Sequence, residues 1–238
     1  MGHGSRGDDG GGEGASGAER RAEYWRPFMA ALPVSGTSVS TIGELFGTET
    51  VAASDSIAAR LDELQFDLGE GPCWDAVRLR RPVLEPDLRA AAAASWPAFS
   101  PAALDAGVGA LFAFPMLIGR LRIGAVDLYS REPLVLDQAD TREASRLADE
   151  AGRRLLHRAL TALGADDLPE DRNPFSRRAV HQATGMVLAQ LDVSADDARS
   201  VIQAHAYATN RSMMEVSREV LEGRLDFSAL DRGEEQDR

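Results

Sequence analysis

The chain has 238 residues and a formal net charge of −12, and 44% of its residues are hydrophobic. This length leaves room for one ordinary domain and a small second one, and the apolar content is sufficient for a buried core. The surplus of acidic residues excludes a general nucleic-acid-binding protein, because phosphate contacts need a local density of cations. Any nucleic-acid site must therefore be a local patch of arginine and histidine.

Cys73 is the only cysteine of the chain, which excludes an internal disulfide and a multi-cysteine metal site. Its thiol is either a redox or nucleophilic group or a small buried side chain, and we expect the structural role. The four histidines lack metal-ligand spacing, so neither a metal nor a catalytic residue is predicted. No apolar run is long enough to span a bilayer and no signal peptide is visible, so we expect a cytoplasmic protein without membrane partners.

The first third of the chain begins with a tract of Gly, Asp and Ser. Residues 1–18 should be disordered, because they cannot bury enough apolar surface to offset the entropy of ordering. A helix is predicted from Glu19 to about Leu32, where Pro33 ends it. Residues 37–130 then show a mixed α and β pattern. The short elements predicted in this region are a strand at 50–53, a helix capped by Ser54 at 54–64, a helix at 73–79 and a strand at 82–85.

The clearest strand signal is a hairpin that runs from Ala110 to Ile118 and from Leu121 to Tyr129. A long helical segment follows, from Asp137 to Leu163, and residues 164–173 are predicted to be a linker. The helix carries an apolar stripe that would either pack against the sheet or pair with a second copy of the chain. We expect a homodimer built on this stripe, which contains Ala144, Leu147, Ala151, Leu155 and Ala159.

Several motifs between residues 25 and 160 carry a family resemblance. They are Leu68-Gly-Glu-Gly-Pro-Cys73, Pro82-Val83 with Asp87-Leu88, Trp96-Pro97, Phe112-x-Phe114-Pro115 and Gly124-Ala-Val-x-Leu-Tyr129. This set resembles the GAF domains that precede ANTAR domains in actinobacterial proteins. The resemblance implies an α+β fold for residues 19–163, with a central antiparallel sheet flanked by helices, and a sensory role.

The aromatic residues of this region are either core or the lining of a ligand pocket. A pocket would be lined by Trp74, Trp96, Phe112, Phe114 and Tyr129, with Asp87, Arg89 and Asp127 as polar anchors. Many GAF domains bind a small molecule and others only dimerise. The sequence identifies no cofactor, so a small-molecule signal is left open. Gly69-Glu-Gly-Pro72 lacks the Lys-Ser/Thr of a phosphate loop and is predicted to be a turn.

Residues 174–232 show three short helical segments. In the first, Val180, Ala183 and Val187 repeat at helical spacing and should face a core, with Ser176 as its predicted N-cap. Ser194 is predicted to cap the second segment. A capping box of Ser212 and Glu215 is predicted for the third, and Gly223 should end it. Gly185 in mid-helix costs about 1 kcal/mol relative to Ala. It either allows another helix to approach closely or leaves backbone accessible to a ligand.

This tail resembles the ANTAR domain, an all-α three-helix RNA-binding module of bacterial regulators. The matching residues are Gln182-Ala183-x-Gly185-Met186-Val187, Ser194-x-x-x-Ala198, Ala204-x-Ala206 and Val216-x-x-x-Val220. The resemblance implies binding to paired stem-loops in nascent transcripts and transcription antitermination. The RNA contacts expected from it are Arg177, Arg178, His181, Gln182, Thr184, Gly185, Gln203 and Arg211.

Two departures from the family pattern keep a second hypothesis open. The family often has Lys where this chain has Thr184, and often has Arg where this chain has Gln203. Both differences remove a positive charge that would seek phosphate. The alternative is a dimeric interaction or sensor protein whose ANTAR domain does not bind RNA. An enzyme is not expected, since no nucleophile–base pair or metal cluster is visible.

Overall fold

The computed structural model describes residues 12–42, 47–91, 95–162 and 176–228. The helices of the first domain are α1 (Gly12–Ala31), α2 (Ser56–Leu68), α3 (Pro72–Leu79), α4 (Leu88–Ala91), α5 (Phe99–Asp105) and α6 (Gln138–Ala162). Its strands are β1 (Gly36–Thr41), β2 (Glu49–Ala53), β3 (Val83–Glu85), β4 (Ala110–Ile118) and β5 (Leu121–Ser130). The C-terminal three-helix unit consists of α7 (Arg178–Leu191), α8 (Ala195–Ala208) and α9 (Met213–Leu221).

The strands form one antiparallel sheet in the order β2-β1-β5-β4-β3. The predicted hairpin is confirmed as β4–β5, which runs from the pair Ala110–Ser130 to the pair Ile118–Leu121. Strand β1 was not predicted, because its sequence of small polar residues lacks the large apolar side chains that mark a strand. All six of its residues are nevertheless buried, since β1 lies between two strands and helices α1 and α2 pack against it.

The two faces of the sheet carry separate cores. On one face, Phe112 and Phe114 pack with residues of α1 and α6, including Phe28. On the other face, Leu111 and Tyr129 pack with residues of α2 and α5. Because alternate residues of a strand point to opposite faces, neighbouring residues of β4 and β5 belong to different cores.

The apolar stripe of α6 faces the sheet of its own chain. Ala144, Leu147, Ala151 and Leu155 are all buried in the core that α6 shares with α1. Close approach is possible because a Cβ at Gly152 would lie only 3.2 Å from the Cβ of Met116. The prediction that this stripe forms a dimer interface is therefore wrong, since its apolar surface already has a partner within the chain.

Helix α1 begins at Gly12, seven residues before the predicted start, so residues 12–18 are helical rather than part of a disordered tail. The buried Tyr24 and Phe28 anchor this helix, and adding residues to an anchored helix costs little free energy. Residues 1–11 and the predicted linker at 164–173 lie outside the described residues.

The predicted helix caps are partly confirmed. Ser194 accepts the backbone N–H of Asp197, and Ser212 and Glu215 form the predicted capping box of α9. The N-cap of α2 is Asp55 rather than Ser54, because its carboxylate accepts two backbone N–H groups. For α7 the N-cap position is Arg177 rather than Ser176.

The Gly69-Glu70-Gly71-Pro72 segment is a turn, as predicted. Gly69 and Gly71 have φ values of 66° and 134°, which favour glycine. Glu70 accepts the backbone N–H groups of Ala98 and Phe99 at 2.7 and 2.8 Å. Within the described part of the chain, no helix is both long and apolar enough to cross a membrane.

Candidate functional site

The outward face of α7 carries half of the eight residues that the sequence placed at an RNA contact. Arg178, His181, Gln182 and Gly185 are all exposed. A Cβ at Gly185 would meet no atom within 4 Å, so its backbone is open to solvent rather than packed against another helix. Thr184 is half-buried, and its hydroxyl donates to the carbonyl of Val180 at 2.8 Å.

Arg177 does not lie on this face, although the sequence predicted it there. Its side chain is buried, and Nη2 donates to the Asp62 carboxylate at 2.7 Å and to the Thr50 hydroxyl at 3.2 Å. Asp62 belongs to α2 and Thr50 to β2, so the first residue before α7 is bound by the first domain. Only the tertiary structure brings these groups together, because at least 115 residues separate Arg177 from Asp62.

Gln203 and Arg211 also have partners within the protein. Gln203 is half-buried, and Nε2 donates to the backbone carbonyl of Asp67 at 2.7 Å. Arg211 forms an ion pair with Glu219 at 2.9 Å. The predicted RNA contacts are therefore divided. Arg178, Gln182 and Gly185 are exposed on α7, whereas Arg177 and Gln203 contact the first domain. His181 is exposed but its Nε2 lies 3.5 Å from Oε1 of Glu49 on β2, and Arg211 pairs within the three-helix unit.

The C-terminal end of α2 completes the core of the three-helix unit. Phe66 is 3% exposed and packs with the apolar residues of α7, α8 and α9. The guanidinium carbons of Arg177 and Arg199 lie 3.7 and 4.6 Å from the centre of its ring. Both distances are within the range of cation–π attraction.

Asp67 caps a helix of the three-helix unit from the first domain. Its Oδ2 accepts the backbone N–H of Met213, the first residue of α9, at 3.1 Å. Burial raises the pKa of Asp67 to about 7, and the hydrogen bond from Met213 opposes part of this rise. The carboxyl of Asp67 therefore titrates near neutral pH at the contact between the two domains.

The residues predicted to line one ligand pocket are separated by the sheet. Phe112 and Phe114 lie in the core beneath α1 and α6, whereas Trp96 and Tyr129 belong to the core on the opposite face. The prediction of a single aromatic pocket is therefore wrong for these four residues, because the period-two alternation of strands places them on different faces.

Both tryptophans and Asp87 of the predicted pocket make hydrogen bonds within the fold. The indole N–H of Trp74 donates to the carbonyl of Gln65, and that of Trp96 donates to Asp75. Asp87 accepts the backbone N–H groups of Arg89 and Ala90 at the start of α4.

Asp127 lies in a buried polar chain beneath α2. Its Oδ2 accepts a hydrogen bond from Gln65 Nε2 at 2.9 Å, while Oδ1 has no partner among the described residues. Gln65 Oε1 in turn accepts the backbone N–H of Cys73 at 2.8 Å. Burial raises the pKa of Asp127 to about 8, and the nearby charge of Asp62 adds to the rise. The Asp127 carboxyl is consequently held in its neutral form at pH values where most carboxyls are ionised.

Cys73 is buried, and burial raises the pKa of its thiol well above the usual value. A thiol in this environment is a poor nucleophile, because the thiolate is the reactive form. The described residues also contain no group of three or more His, Cys, Asp or Glu side chains that could hold a metal ion.

Comparison with family models identifies both parts of the chain. Residues 29–155, just over half of the sequence, match the GAF domain model, and residues 175–221 match the ANTAR domain model. The chain belongs to the GAF domain family and carries a C-terminal ANTAR domain. A search of curated proteins found no match.

Solved structures similar to the chain match its GAF domain. A domain of a putative two-component sensor histidine kinase from Sinorhizobium meliloti is 17% identical, with a TM-score of 0.48 over 62% of this chain and 97% of that one. The GAF domain of the cyanobacteriochrome TePixJ is 20% identical, with a TM-score of 0.45 over 60% of this chain and 92% of that one. A GAF domain/HD domain protein from Geobacter sulfurreducens is 17% identical, with a TM-score of 0.46, over 60% of this chain and 95% of that one.

Sequence reasoning missed the residues through which the GAF domain binds the ANTAR domain, namely Asp62, Phe66 and Asp67. One signal was present for Asp62. It falls on the same side of α2 as Ala58 and Leu61, which are buried, and an acidic residue in an apolar stripe indicates a buried partner. The partner itself could not be found in the sequence, because it lies in the other domain.

Proposed function

We propose that this protein is a signal-responsive regulator whose ANTAR domain binds hairpin RNA in nascent transcripts and controls transcription termination. The match of residues 175–221 to the ANTAR model carries the proposal. The exposed face of α7 supports it, since Arg178, Gln182 and the open backbone at Gly185 lie on one side of this helix. RNA loops are recognised through phosphate contacts and unstacked bases, which requires accessible cations and close approach.

The net charge of the chain favours a small, local RNA-binding surface over one that covers the whole protein. The chain carries a net charge of −12, so a general phosphate-binding surface is not expected. An exposed arginine such as Arg178 supplies the local attraction. The target is a bacterial transcript as it is made, so we propose that the protein acts in the cytoplasm.

Binding of hairpin RNA to full-length Arg178→Ala tests this proposal. Loss of one phosphate contact should lower the affinity for every hairpin by a similar factor, and the slope of log affinity against log salt should fall by about one. The matched control is Arg122→Ala, which removes an exposed arginine from the β5 strand of the GAF domain and should leave RNA affinity unchanged. Equal losses in both variants would mean that only the overall charge matters.

A specific observation favours the alternative of a protein-interaction module. Arg177 and Gln203, two of the predicted RNA contacts, are bound to the GAF domain instead of facing solvent. In this alternative the ANTAR unit is a permanent part of a single folded body. Absence of hairpin binding at low salt by wild type and by Thr184→Lys would replace the RNA proposal with this one.

The proposal includes a homodimer, as GAF domains often dimerise through terminal helices. The buried stripe of α6 cannot supply the interface, so another surface must do so. Light scattering at tens of micromolar protein measures the oligomeric state directly. A monomer under these conditions would remove the dimer from the proposal.

A further inference from the structure

Arg177 is held by the GAF domain in the way that a protein holds a guanidinium ligand. The residue is 4% exposed, and Nη2 contacts the Asp62 carboxylate at 2.7 Å and the Asp62 carbonyl at 3.3 Å. The guanidinium carbon lies 3.7 Å above the ring of Phe66. A carboxylate combined with an aromatic face is the pair of groups that suits a planar cation best.

The carboxylate at the centre of this arrangement is positioned by the GAF domain alone. Asp62 is 2% exposed, and it accepts hydrogen bonds from the hydroxyls of Ser40 on β1 and Thr50 on β2. Neither hydroxyl carries a positive charge. If Arg177 left, the Asp62 carboxylate would remain buried with hydrogen bonds but without a counter-ion, which is unfavourable.

We propose that Asp62, Thr50 and Phe66 form a guanidinium-binding cage, which the ANTAR domain occupies with its own Arg177 and which accepts free guanidinium compounds once Arg177 is withdrawn. The ligand class follows from the occupant and from the charge of the cage. A compound with a guanidinium head and a short stem matches the part of Arg177 that the cage encloses.

The cage adjoins a cleft that is open to solvent. A cleft of about 630 Å³ lies between the two domains, and its walls include Thr50, Phe66 and Arg177 themselves. The outer walls carry charges of both signs, from Arg60, Glu63 and other side chains, so the cleft is polar. Asp62 is 2% exposed and is not part of these walls, so a small cation in the cleft reaches it only after Arg177 has left.

The cage also bears on RNA binding, an inference that depends on the proposed function. Its occupation by Arg177 keeps the ANTAR domain on α2, where Gln203 is bound to the carbonyl of Asp67 at 2.7 Å. Arg177 and Gln203 both belong to the RNA contacts that the family resemblance implies. A free guanidinium compound in the cage would displace Arg177 and release these residues, which makes docking and RNA binding competing states.

Chemical rescue of full-length Arg177→Ala tests the cage without RNA. Methylguanidinium at millimolar concentration should raise the Tm of Arg177→Ala by about 2–4 °C more than the Tm of wild type, because the ligand binds only the folded protein. Methylammonium, with the same charge but no planar head, should have a smaller effect. The double variant Asp62→Asn with Arg177→Ala should not respond to either compound.

Equal responses of wild type and Arg177→Ala to methylguanidinium would overturn the cage. Arg177→Met, which keeps the aliphatic stem, is the second variant if Arg177→Ala fails to fold. For Arg177→Met, a larger Tm rise with methylguanidinium than with methylammonium supports the cage, and equal rises reject it.

The consequence for RNA is measured with Asp62→Asn, which leaves the ANTAR sequence intact. Weakened docking should tighten hairpin binding about fivefold or more relative to wild type. Equal affinities in the two proteins would reject the competition between docking and RNA. If neither protein binds hairpins at low salt, the proposed function fails, while the rescue experiment still decides on the cage.

Discussion

The carboxylate of Asp67 in the GAF domain accepts the backbone N–H of Met213 at the start of α9 in the ANTAR domain, at a distance of 3.1 Å. Helix α9 therefore begins with two caps, since the hydroxyl of Ser212 accepts the N–H of Glu215 in the same turn. The first four N–H groups of a helix have no partner within it, and here two domains share the task of satisfying them. The stability of the ANTAR unit is consequently coupled to the GAF domain.

Removal of the Phe66 side chain should loosen the ANTAR domain from a position outside it. Phe66→Ala leaves a cavity in the core of the three helices and should lower the free energy of unfolding by about 3–5 kcal/mol. Amide hydrogen exchange at Met213 and along α9 should become faster. Phe28→Ala is the matched control, since Phe28 is equally buried but lies in the core beneath α1. Slow exchange in α9 of Phe66→Ala would contradict the shared core.

Asp67 and Asp127 should contribute less to the stability of the protein as pH rises from about 4 to 8. Burial raises the pKa of Asp67 to about 7 and that of Asp127 to about 8. Between the unfolded value of about 4 and these values, the folded state keeps the protons that the unfolded state has lost, so the stabilisation is complete below pH 4 and disappears by pH 8. Chemical denaturation at a series of pH values measures the slope.

Asp127→Asn should flatten the upper part of this pH dependence. The amide oxygen can still accept the hydrogen bond from Gln65, whereas the titrating proton is gone. Asp67, whose pKa is also raised by burial, is unchanged in this variant, so a residual slope below pH 7 is expected. An unchanged slope between pH 7 and 8 would show that Asp127 is ionised in the folded protein.

Cys73 should react with a thiol reagent only after the protein unfolds. Its side chain is buried, and its pKa is raised by burial and by the charges of Asp127 and Asp62. Because it is the only cysteine, one equivalent should react in denaturant and almost none in native buffer. Fast native reaction with an intact circular dichroism spectrum would revive a redox role for the thiol.

Truncation of the α6 stripe should affect the fold of a single chain rather than assembly. Leu147→Ala removes a buried side chain and should cost about 2–5 kcal/mol of stability without changing the oligomeric state. Leu160→Ala on the same helix is the control, because Leu160 is 59% exposed and should contribute little. A dimer that dissociates in Leu147→Ala while the monomer remains stable would restore the stripe as an interface.

Thr184→Lys should strengthen hairpin binding without altering the fold. Thr184 lies one residue before the open backbone of Gly185, and its hydroxyl donates to the carbonyl of Val180 in its own helix. A lysine there adds one phosphate-seeking charge, so the salt slope should rise by about one. Thr209→Lys, at the exposed end of α8, carries the same charge change and separates a local contact from a general effect.

The sequence by itself determined the local elements and the families. The β4–β5 hairpin, the turn at Gly69 to Pro72 and the capping box of Ser212 and Glu215 follow from short-range rules of turn and helix chemistry. Those rules depend on neighbours within a few residues, so a single sequence is enough to apply them. The GAF and ANTAR motifs likewise lie in short, ordered runs, and the family models match both regions.

Only the tertiary structure decided what each face of an element contacts. The apolar stripe of α6 is compatible with a sheet or with a second chain, and its burial against the sheet settles the choice. The aromatic residues of β4 and β5 divide between two cores because the sheet has helices on both faces. The sequence predicts Arg177 to be a surface cation beside Arg178. In the structure it is buried and forms an ion pair with Asp62, which lies in a distant part of the chain. The contact of Arg177 with Asp62 depends on how the two domains pack together. A contact between residues so far apart in sequence leaves no periodic pattern in the sequence around either residue.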